Sequence, residues 1–449
     1  MDYRLLSNKI LGKAKEKMES AEVYIESTKE IEIGVFGGEI IKYSISESGG
    51  LSLRGLKDKK MGYSYTEKLD ESSIDMLIDE AVNNGTYIDL MDAEEIFKGS
   101  ESYKEVSSYN DSLAKISMED KIELTKNLEK EALSLDNRIT SVQMCGYSEV
   151  EGTRYLINTK GVDLSDRQNG GFVYISVVAK DGDDTKTGSS FKAFSDFSKV
   201  NYKEIAKEAV EEAISMLGAA PTKSKDYPSV IKNSVFASIL SAFSSIFSGD
   251  TVQKGLSLLK GKLNEEVASP IFTLVDDPFL EGGFASRAFD DEGTSARYKK
   301  VIDKGVLTTY LHNWKSAKKD GVESTGNGSR SSYKSSLSIS PSNFYIEKGE
   351  KTFEEMISSI DSGVLITDVA GLHSGLNPVS GDFSLSSNGF EIRDGKIYRP
   401  INQITIAGNF FELLKNIEEI GDDLKFGFPG GGYVGSPSIK VKYISVAGE

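Results

Sequence analysis

Side chains suited to hydrolytic metal chemistry are scarce in this sequence. Its 449 residues include two histidines, His312 and His373, and one cysteine, Cys145. A catalytic zinc site needs histidine, cysteine or carboxylate ligands and an open position for water. The histidines lie far apart and neither belongs to an HExxH pattern, so both are predicted to be turn or core residues. Cys145 has no histidine near it in sequence, which favours a small buried residue over a nucleophile.

Carboxylates offer another route to a metal site. Acidic runs occur at Asp276-Asp277 and at Asp290-Asp291-Glu292, where the pattern favours turns between strands. Oxygen ligands from such runs could also converge on a divalent cation. One alternative hypothesis is therefore a self-sufficient hydrolase with a carboxylate-built metal site at Asp276, Asp290, Asp291 and Asp382. It predicts metal-dependent activity that is lost when these residues are changed.

Two glycine-containing segments could offer backbone hydrogen bonds to a peptide. The first contains Ser324, Thr325, Gly326, Asn327 and Gly328, and the second contains Gly430, Gly431 and Gly432. The second lacks the Lys-Ser/Thr pair of a phosphate-binding loop. Both segments are also typical of plain tight turns. As a hypothesis, these eight residues bind an extended peptide as an added strand.

The first half of the chain alternates between extended runs and helical patterns. Runs separated by glycine pairs at Gly37-Gly38 and Gly49-Gly50 predict a meander of antiparallel strands over residues 21–66. The stretch Gly218–Tyr227 is the best linker candidate. These features predict an N-terminal α/β domain over residues 1–220, with antiparallel strands and flanking helices.

Helix ends in this half carry recognisable signals. Ser72, Ser117 and Asn201 each precede an apolar stripe of helical period, with an acidic residue three positions later. This spacing predicts that each of these three residues is the N-cap of a helix. Gly85 stands where the glycine that follows a helix end is expected.

The second half contains many glycine, serine and asparagine residues and few helical patterns. One strong helix is predicted over Ser234–Ser248. Short helices are predicted over Phe353–Ile360, with Thr352 as the cap, and over Asn409–Ile417. Most of the remainder reads as strand-like runs broken by glycine. The sequence predicts a β-rich C-terminal domain over residues 221–449, and therefore an α+β fold class.

The composition limits the classes of partner. The formal net charge is −16 and the sequence pI is about 4.9, which argues against direct nucleic-acid binding. No run approaches 18 apolar residues, so no membrane span is expected. A single cysteine and an N-terminus without a signal-peptide pattern predict a cytoplasmic location.

Five segments of the second half together resemble the TldD/PmbA family, once named as modulators of DNA gyrase. Their order and rough spacing match that family, and the N-terminal half is also similar. The segments are Val275–Pro278, Phe289–Gly293, Ser324–Gly328, Asn377–Phe383 and Gly435–Ser438.

The resemblance implies where a zinc motif would stand. TldD-like chains carry HExxxH on a helix and a later cysteine. With Gly249-Asp250 setting the register, Leu240 and Ser245 occupy the histidine positions and Ser241 occupies the glutamate position. The stretch Phe426–Gly435 has no cysteine. Leucine cannot bind zinc, and serine is a poor ligand and a poor base, so no catalytic residue and no metal site are expected in this chain.

The resemblance therefore implies a TldE/PmbA-like, non-catalytic subunit with a peptidase-like C-terminal domain. The expected partner is a TldD-like chain in a heterodimer, which holds the zinc, while this chain holds no cofactor. A homodimer in isolation is an open alternative. The expected substrate is a peptide, whose chamber this subunit shapes. A second alternative is a regulatory binding protein of the gyrase-modulator type.

Overall fold

The N-terminal part of the chain is built on one long antiparallel sheet. The computed structural model describes residues 2–88, 94–430 and 432–449. The strands of this sheet are β1 (Ser20–Phe36), β2 (Glu39–Lys57), β3 (Lys60–Thr66), β4 (Ile139–Asn158), β5 (Asp163–Asp181) and β6 (Asp184–Phe194). Their spatial order is β3-β2-β1-β4-β5-β6, and neighbours run antiparallel. The predicted antiparallel meander is confirmed and its turn at Gly37-Gly38 is present, but the break predicted at Gly49-Gly50 is wrong, because β2 continues through both glycines in register with β1.

Helices cover one face of this sheet. They are α1 (Tyr3–Ala14), α2 (Ile74–Thr86), α3 (Asp111–Ala114), α4 (Met118–Leu135) and α5 (Tyr202–Ser215). Because side chains alternate between the faces of a strand, odd-numbered residues of β1 such as Val23 and Ile33 are buried under the helices. Even-numbered residues such as Glu22 and Tyr24 point to the opposite face and contact the C-terminal part of the chain.

Two of the three predicted N-caps are confirmed. Ser117 accepts a hydrogen bond from the Asp120 N–H, and Asn201 accepts one from the Lys203 N–H. The cap predicted at Ser72 is wrong, because Asp70 accepts the Ser72 N–H and a 3₁₀ turn over residues 71–73 precedes α2.

The C-terminal part contains two six-stranded sheets and a short hairpin. Its strands are β7 (Lys225–Ile231), β8 (Leu274–Asp276), β9 (Lys299–Asp303), β10 (Val306–Leu307), β11 (Gly328–Ser329), β12 (Ser338–Ile339), β13 (Asn343–Ile346), β14 (Ser362–Ala370), β15 (Asp382–Arg393), β16 (Lys396–Asn409), β17 (Ile417–Ile420), β18 (Lys425–Phe426), β19 (Tyr433–Ser436) and β20 (Ile439–Ala447). One sheet has the order β10-β9-β8-β13-β19-β18 and the other β16-β15-β14-β7-β20-β17, while β11 pairs with β12. The predicted α+β class, with an antiparallel N-terminal sheet and a β-rich second half, is confirmed.

Helix α6 (Asn233–Phe243) packs against strands of both C-terminal sheets. Phe243 stacks on Phe410 with ring centroids 4.4 Å apart, and Phe247 meets Phe344 edge to face at 5.6 Å. The helix predicted over Ser234–Ser248 is shorter than expected, because a 3₁₀ turn replaces it after Phe243. This packing fixes the rotation of α6 and thus decides which of its side chains face solvent.

The remaining helices are short. They are α7 (Gly249–Gln253), α8 (Trp314–Asp320), α9 (Phe353–Ser358) and α10 (Phe410–Lys415). The cap predicted at Thr352 is confirmed. The helix predicted over Asn409–Ile417 is present but shorter, with Asn409 as its N-cap. Across the described ranges, no helix combines the length and apolar character needed to cross a membrane.

Candidate functional site

Helix α6 carries the three positions predicted to correspond to a zinc motif. Leu240 is fully buried in the main core of the C-terminal part, beside Phe236 and Phe243. Ser241 and Ser245 are exposed. One position therefore points into the core and two point outward, so the three side chains do not converge on one point.

Ser241 lies in a cleft of about 450 Å³. Helix α6 forms one wall of this cleft. The other wall consists of Leu372, His373, Gly427, Phe428 and Val434. The stretch Phe426–Gly435, where the resemblance places the missing cysteine, thus faces Ser241 across the cleft. We call this space the α6 cleft.

Ser245 lies in a different cavity, of about 400 Å³, which also contains Arg54, Tyr63 and Glu292. The α6 cleft itself offers a single imidazole, His373, and neutral hydroxyl groups. In the part of the chain that the structure describes, no three histidine, cysteine, aspartate or glutamate side chains come together as a metal-binding group. Zinc requires three such ligands with correct geometry, so the residues present do not fit a catalytic zinc ion.

A larger cleft of about 950 Å³ separates the N-terminal sheet from the C-terminal part. Its walls include Phe172 of β5 and Phe284, and its rim carries Glu281. Phe428 lines both this cleft and the α6 cleft. Its ring lies 4.7 Å from that of Phe172 and 5.8 Å from that of Phe191, yet 56% of the residue is exposed. Phe428 therefore borders both spaces, and we call the two spaces together the groove over Phe428.

The segment Ser324–Gly328 lies inside the protein and bonds to its own chain. Asn327 is fully buried, and its Nδ2 donates to Asp276 Oδ2 at 2.9 Å and to the Ser340 carbonyl at 3.0 Å. Thr325 Oγ1 donates to Asn327 Oδ1 at 2.7 Å, and the Gly328 N–H donates to Asp290 Oδ2 at 2.8 Å. Peptide binding at this segment stays a prediction, and it would require exchange of these internal bonds.

The glycine run lies close to the groove. The Gly430 N–H, directly after Pro429, donates to the Gly432 carbonyl at 3.0 Å. Gly431 lies outside the described residues. Peptide binding by these glycines also stays a prediction, but here the neighbouring Phe428 and Pro429 line open space.

The four carboxylates of the hypothetical carboxylate-built metal site each bond to different protein groups. Asp276 Oδ2 lies 2.6 Å from Lys299 Nζ. Burial of Asp276 opposes the charged carboxylate, but the attraction of Lys299 outweighs it, so the pKa of Asp276 is below its ordinary value. Asp290 accepts backbone N–H groups, including that of Thr294 at 2.9 Å, and Asp291 pairs with Arg154. Asp382 is on β15, bonded to Asn409 at 2.9 Å.

Asp291 and Glu292 belong to a buried ionic network between the two parts of the chain. Arg54 of β2 donates twice to Glu22 of β1, at 2.7 and 3.2 Å. Arg330, from the C-terminal part, donates to the same carboxylate at 2.8 Å. Arg154 of β4 pairs with Asp166 at 2.7 Å and with Asp291. We call these residues the interdomain network.

Glu292 is the least compensated carboxylate of this network. Its Oε2 accepts the Trp314 N–H at 2.7 Å, while Oε1 lies 3.8 Å from Arg54 Nη1. Burial raises the pKa of Glu292 to about 7, against the attraction of Arg54, and the nearby Asp290 adds to the rise. Burial also raises the pKa of Asp290 to about 6.

The remaining candidate nucleophile and base occupy structural positions. His312 is buried, its Nδ1 lies 3.1 Å from Ser316 Oγ, and burial lowers its pKa. Cys145 is buried under α4, and burial raises the pKa of its thiol to about 12. A thiol with so high a pKa is a poor nucleophile at neutral pH.

Sequence reasoning missed the role of Phe428. No local pattern marks it, because its ring partners Phe172 and Phe191 come from the N-terminal sheet. His373 is predicted as a turn or core residue and lies in a turn after β14. Its place opposite Ser241 follows from the position of β14 within its sheet.

Comparison with known proteins agrees with this architecture. Three family models match, described as PmbA/TldA metallopeptidase domain 1 over residues 21–85, central domain over residues 111–217 and C-terminal domain over residues 224–448. A metalloprotease PmbA of Escherichia coli is 23% identical over 91% of this chain and 89% of its own length.

Two solved structures share the whole fold. A Thermotoga maritima protein, described as a candidate modulator of a DNA gyrase, is 32% identical with a TM-score of 0.90, covering 99% of this chain and 100% of that one. TldE of Thermococcus kodakarensis is 24% identical with a TM-score of 0.91, covering 99% and 100%. The chain belongs to the TldD/PmbA family of metallopeptidase-like proteins.

Proposed function

We propose that this chain is the non-catalytic subunit of a two-chain metallopeptidase, in which a TldD-like partner holds the zinc ion. The observation that carries the proposal is the identity and placement of the side chains at the three zinc-motif positions of α6. Leu240 is in the core, and Ser241 and Ser245 line separate cavities. Family members named as metalloproteases support the reaction class. This chain contributes a binding surface to the reaction instead of a nucleophile or a base.

The groove over Phe428 fits an extended peptide. Its two spaces, of about 450 and 950 Å³, meet at an exposed aromatic ring that can pack against an apolar side chain. The larger cleft also holds three carboxylates, Asp111, Asp196 and Glu281, and one lysine, Lys199, which gives a formal charge of −2. Peptides with apolar and basic side chains are therefore the preferred class.

Zinc content and peptide hydrolysis test the subunit assignment. The purified chain and its mixture with a TldD-like partner would be analysed for metal content, and both samples assayed on the same unfolded peptide. We expect zinc and activity only in the mixture. Stoichiometric metal and peptide cleavage by the chain alone would refute the proposal.

A substitution in the groove tests the role in substrate binding. Phe428→Ala removes the ring shared by both clefts and should raise the Kd for a labelled apolar, basic peptide by about tenfold, the factor expected for about 1.4 kcal/mol. Tyr398→Ala, at a ring that is 57% exposed on β16, is the matched control and should leave Kd unchanged. If both variants changed the Kd equally, the groove over Phe428 would not be the peptide-binding surface.

A further inference from the structure

The cavity beside Ser245, of about 400 Å³, lies between the two parts of the chain. Arg54 of β2 and Tyr63 of β3 line it from the N-terminal sheet, and Ser248 and Glu292 line it from the C-terminal part. Its volume is within the range of small-ligand cavities, roughly 300–1,000 Å³. We call this space the Ser245 cavity. Both parts of the chain would contribute to any ligand site in it.

The walls of the Ser245 cavity are polar almost throughout. Apart from Leu337, Ile339 and the ring of Tyr63, they consist of charged residues, serines, a threonine and side-chain amides. Ser336 and Ser338, which also line the cavity, are exposed and open it to solvent. A molecule that fills this space must therefore carry several hydrogen-bonding groups for its size.

The half-buried and exposed charged residues of the cavity are already paired. Three ion pairs hold them, with N–O distances of 2.8, 2.7 and 2.5 Å: Lys315–Glu94, Lys254–Asp250 and Lys318–Glu95. Because opposite charges so close together largely cancel each other's field, these pairs do little to select the charge of a ligand. That selection falls to the charged groups buried deeper in the cavity.

Two charged groups are buried at the floor of the cavity. Arg54 and Glu292 are each 2% exposed. Arg54 donates to Glu22 through Nε and Nη2, while its Nη1 lies 3.8 Å from Glu292 Oε1, too far for a hydrogen bond. Glu292 Oε2 accepts the Trp314 N–H, but no donor among the described residues bonds to Oε1. A positive and a negative group thus lie side by side without being joined.

Two neutral buried groups of the cavity also have unused hydrogen-bonding capacity. Ser248 and Asn313 are each 7% exposed. Asn313 Oδ1 accepts the Ser316 N–H at 2.9 Å, whereas its Nδ2 and the Ser248 hydroxyl bond to no residue that the structure describes. Buried polar groups almost always have a partner. Together with Glu292 Oε1, three such groups around one space require a polar occupant.

The floor charges restrict the charge of that occupant. A cation alone would be repelled by Arg54, and an anion alone would be repelled by Glu292. A molecule with both charges can pair with both residues and leaves neither buried charge uncompensated. In an α-amino acid the ammonium and carboxylate groups are joined through one carbon atom, so they can lie side by side over Glu292 and Arg54. The ends of a dipeptide are farther apart and fit this spacing less well.

We infer that the Ser245 cavity binds a free α-amino acid with a small, uncharged polar side chain. Its ammonium group donates to Glu292 Oε1 and its carboxylate accepts from Arg54 Nη1, while Ser248 and Asn313 bond to its remaining polar groups. Because the site spans both parts of the chain, its occupation fastens them together. Free amino acids are end products of peptide hydrolysis, so the site lets a peptidase subunit respond to product; this consequence, unlike the binding itself, rests on the proposed function.

Calorimetric titration of the full chain tests the ligand class. The probes are L-serine, L-threonine and L-asparagine, in buffer above the Glu292 pKa of about 7, where that carboxylate is charged. We expect one site per chain, with a Kd below about 1 mM for at least one probe. Serinamide lacks the carboxylate, glycerate lacks the ammonium and seryl-serine separates the two charges. Each should bind at least about tenfold more weakly than L-serine, because one buried charge stays unpaired.

Two substitutions test the position of the site. Glu292→Gln removes the charge that pairs with the ammonium and should raise the Kd at least about tenfold. Ser248→Ala removes a hydroxyl that bonds to no described residue, so it should leave the Tm of the free chain unchanged and raise the Kd about fivefold. The matched controls, Glu281→Gln and Ser134→Ala, change exposed residues outside the cavity and should bind like the wild type.

Two kinds of result would overturn the inference. Absence of binding by all three amino acids would show that the cavity holds water only. Wild-type affinity in both Glu292→Gln and Ser248→Ala, or binding of serinamide and glycerate as tight as that of L-serine, would place the amino acid elsewhere or remove the charge pairing. All of these measurements use the chain without a partner, so none of them bears on the zinc test of the proposed function.

Discussion

Leu240 and Ser241 are neighbours in sequence, yet they have opposite roles in the structure. Leu240 packs into the core, whereas Ser241 opens onto the α6 cleft. Helical geometry turns successive side chains by about 100°, so adjacent motif positions cannot both face the cleft fully. The rotation of α6 therefore gives Leu240 a packing role and leaves Ser241 on the open cleft.

Glu292 gives this protein a pH-dependent stability. Its folded pKa of about 7 lies above its ordinary value of 4.5, so the folded state binds the proton more tightly than the unfolded state does. The stabilisation is full below pH 4.5 and is lost as the pH rises through 7. Glu292→Gln keeps an acceptor for the Trp314 N–H but cannot ionise. The Tm of the wild type relative to this variant should therefore fall across that window.

Thermal unfolding of both proteins across pH 4.5 to 7 measures this difference. Glu281→Gln, at an exposed glutamate on the rim of the larger cleft, is the control and should track the wild type at every pH. A wild-type advantage that grew with rising pH would contradict the assignment of a raised pKa to Glu292.

At the scale of the elements, α2 and β3 approach each other closely at two glycines. Gly85, predicted to follow the end of the helix, instead lies within α2 and packs against Gly62 of β3. The prediction was wrong because glycine allows close packing as well as a helix end. A Cβ on Gly62 would stand 1.8 Å from the Ala81 carbonyl oxygen, a backbone atom that cannot move aside without shifting the helix.

Gly62→Ala should consequently destabilise the protein strongly. We expect the free energy of unfolding to fall by about 2 kcal/mol or more, the scale of overpacking in a tight core, as measured by chemical denaturation. Gly152→Ala on β4 is the matched control, because its Cβ would meet Gln168 Cγ at an ordinary 3.5 Å. A Gly62→Ala protein as stable as this control would show that α2 can move away from β3.

The interdomain network joins the two parts of the molecule. Arg330 is buried and reaches Glu22 across the boundary. Its removal would leave Arg54 as the one side chain, among the described residues, that bonds to that carboxylate. Breaking a buried ion pair costs roughly 3–5 kcal/mol, because one charge stays buried without compensation. Arg330→Met should therefore lower stability by about that amount and separate the calorimetric unfolding into two transitions.

Lys334 provides an internal comparison for Arg330. It also crosses the boundary, where its Nζ lies 2.7 Å from Glu67, but both side chains are about half exposed or more. Solvent screens such a pair, so Lys334→Met should keep the wild-type unfolding profile. Identical profiles for Arg330→Met and Lys334→Met would mean that the network does not couple the two parts.

The sequence by itself determined the features that depend on residue type and local spacing. The scarcity of metal ligands, the caps at Ser117 and Asn201, the antiparallel N-terminal strands and the β-rich second half could all be predicted. Hydrogen-bonding groups a few residues apart, or apolar residues at a regular period, decide such features. The zinc-motif positions followed from the family resemblance.

The tertiary structure alone decided which residues meet. Ser324–Gly328 was predicted as a peptide-binding segment, yet the fold places Asn327 against Asp276 inside the core. Phe428 meets Phe172 across the boundary between the two parts. Asp291 and Glu292 were predicted as turn residues, with Asp291 also a candidate metal ligand, and both become part of a buried ionic network. The contacts of Asn327, Phe428 and Asp291 join residues 51 or more positions apart. Their geometry depends on how sheets and helices pack, which no local pattern records.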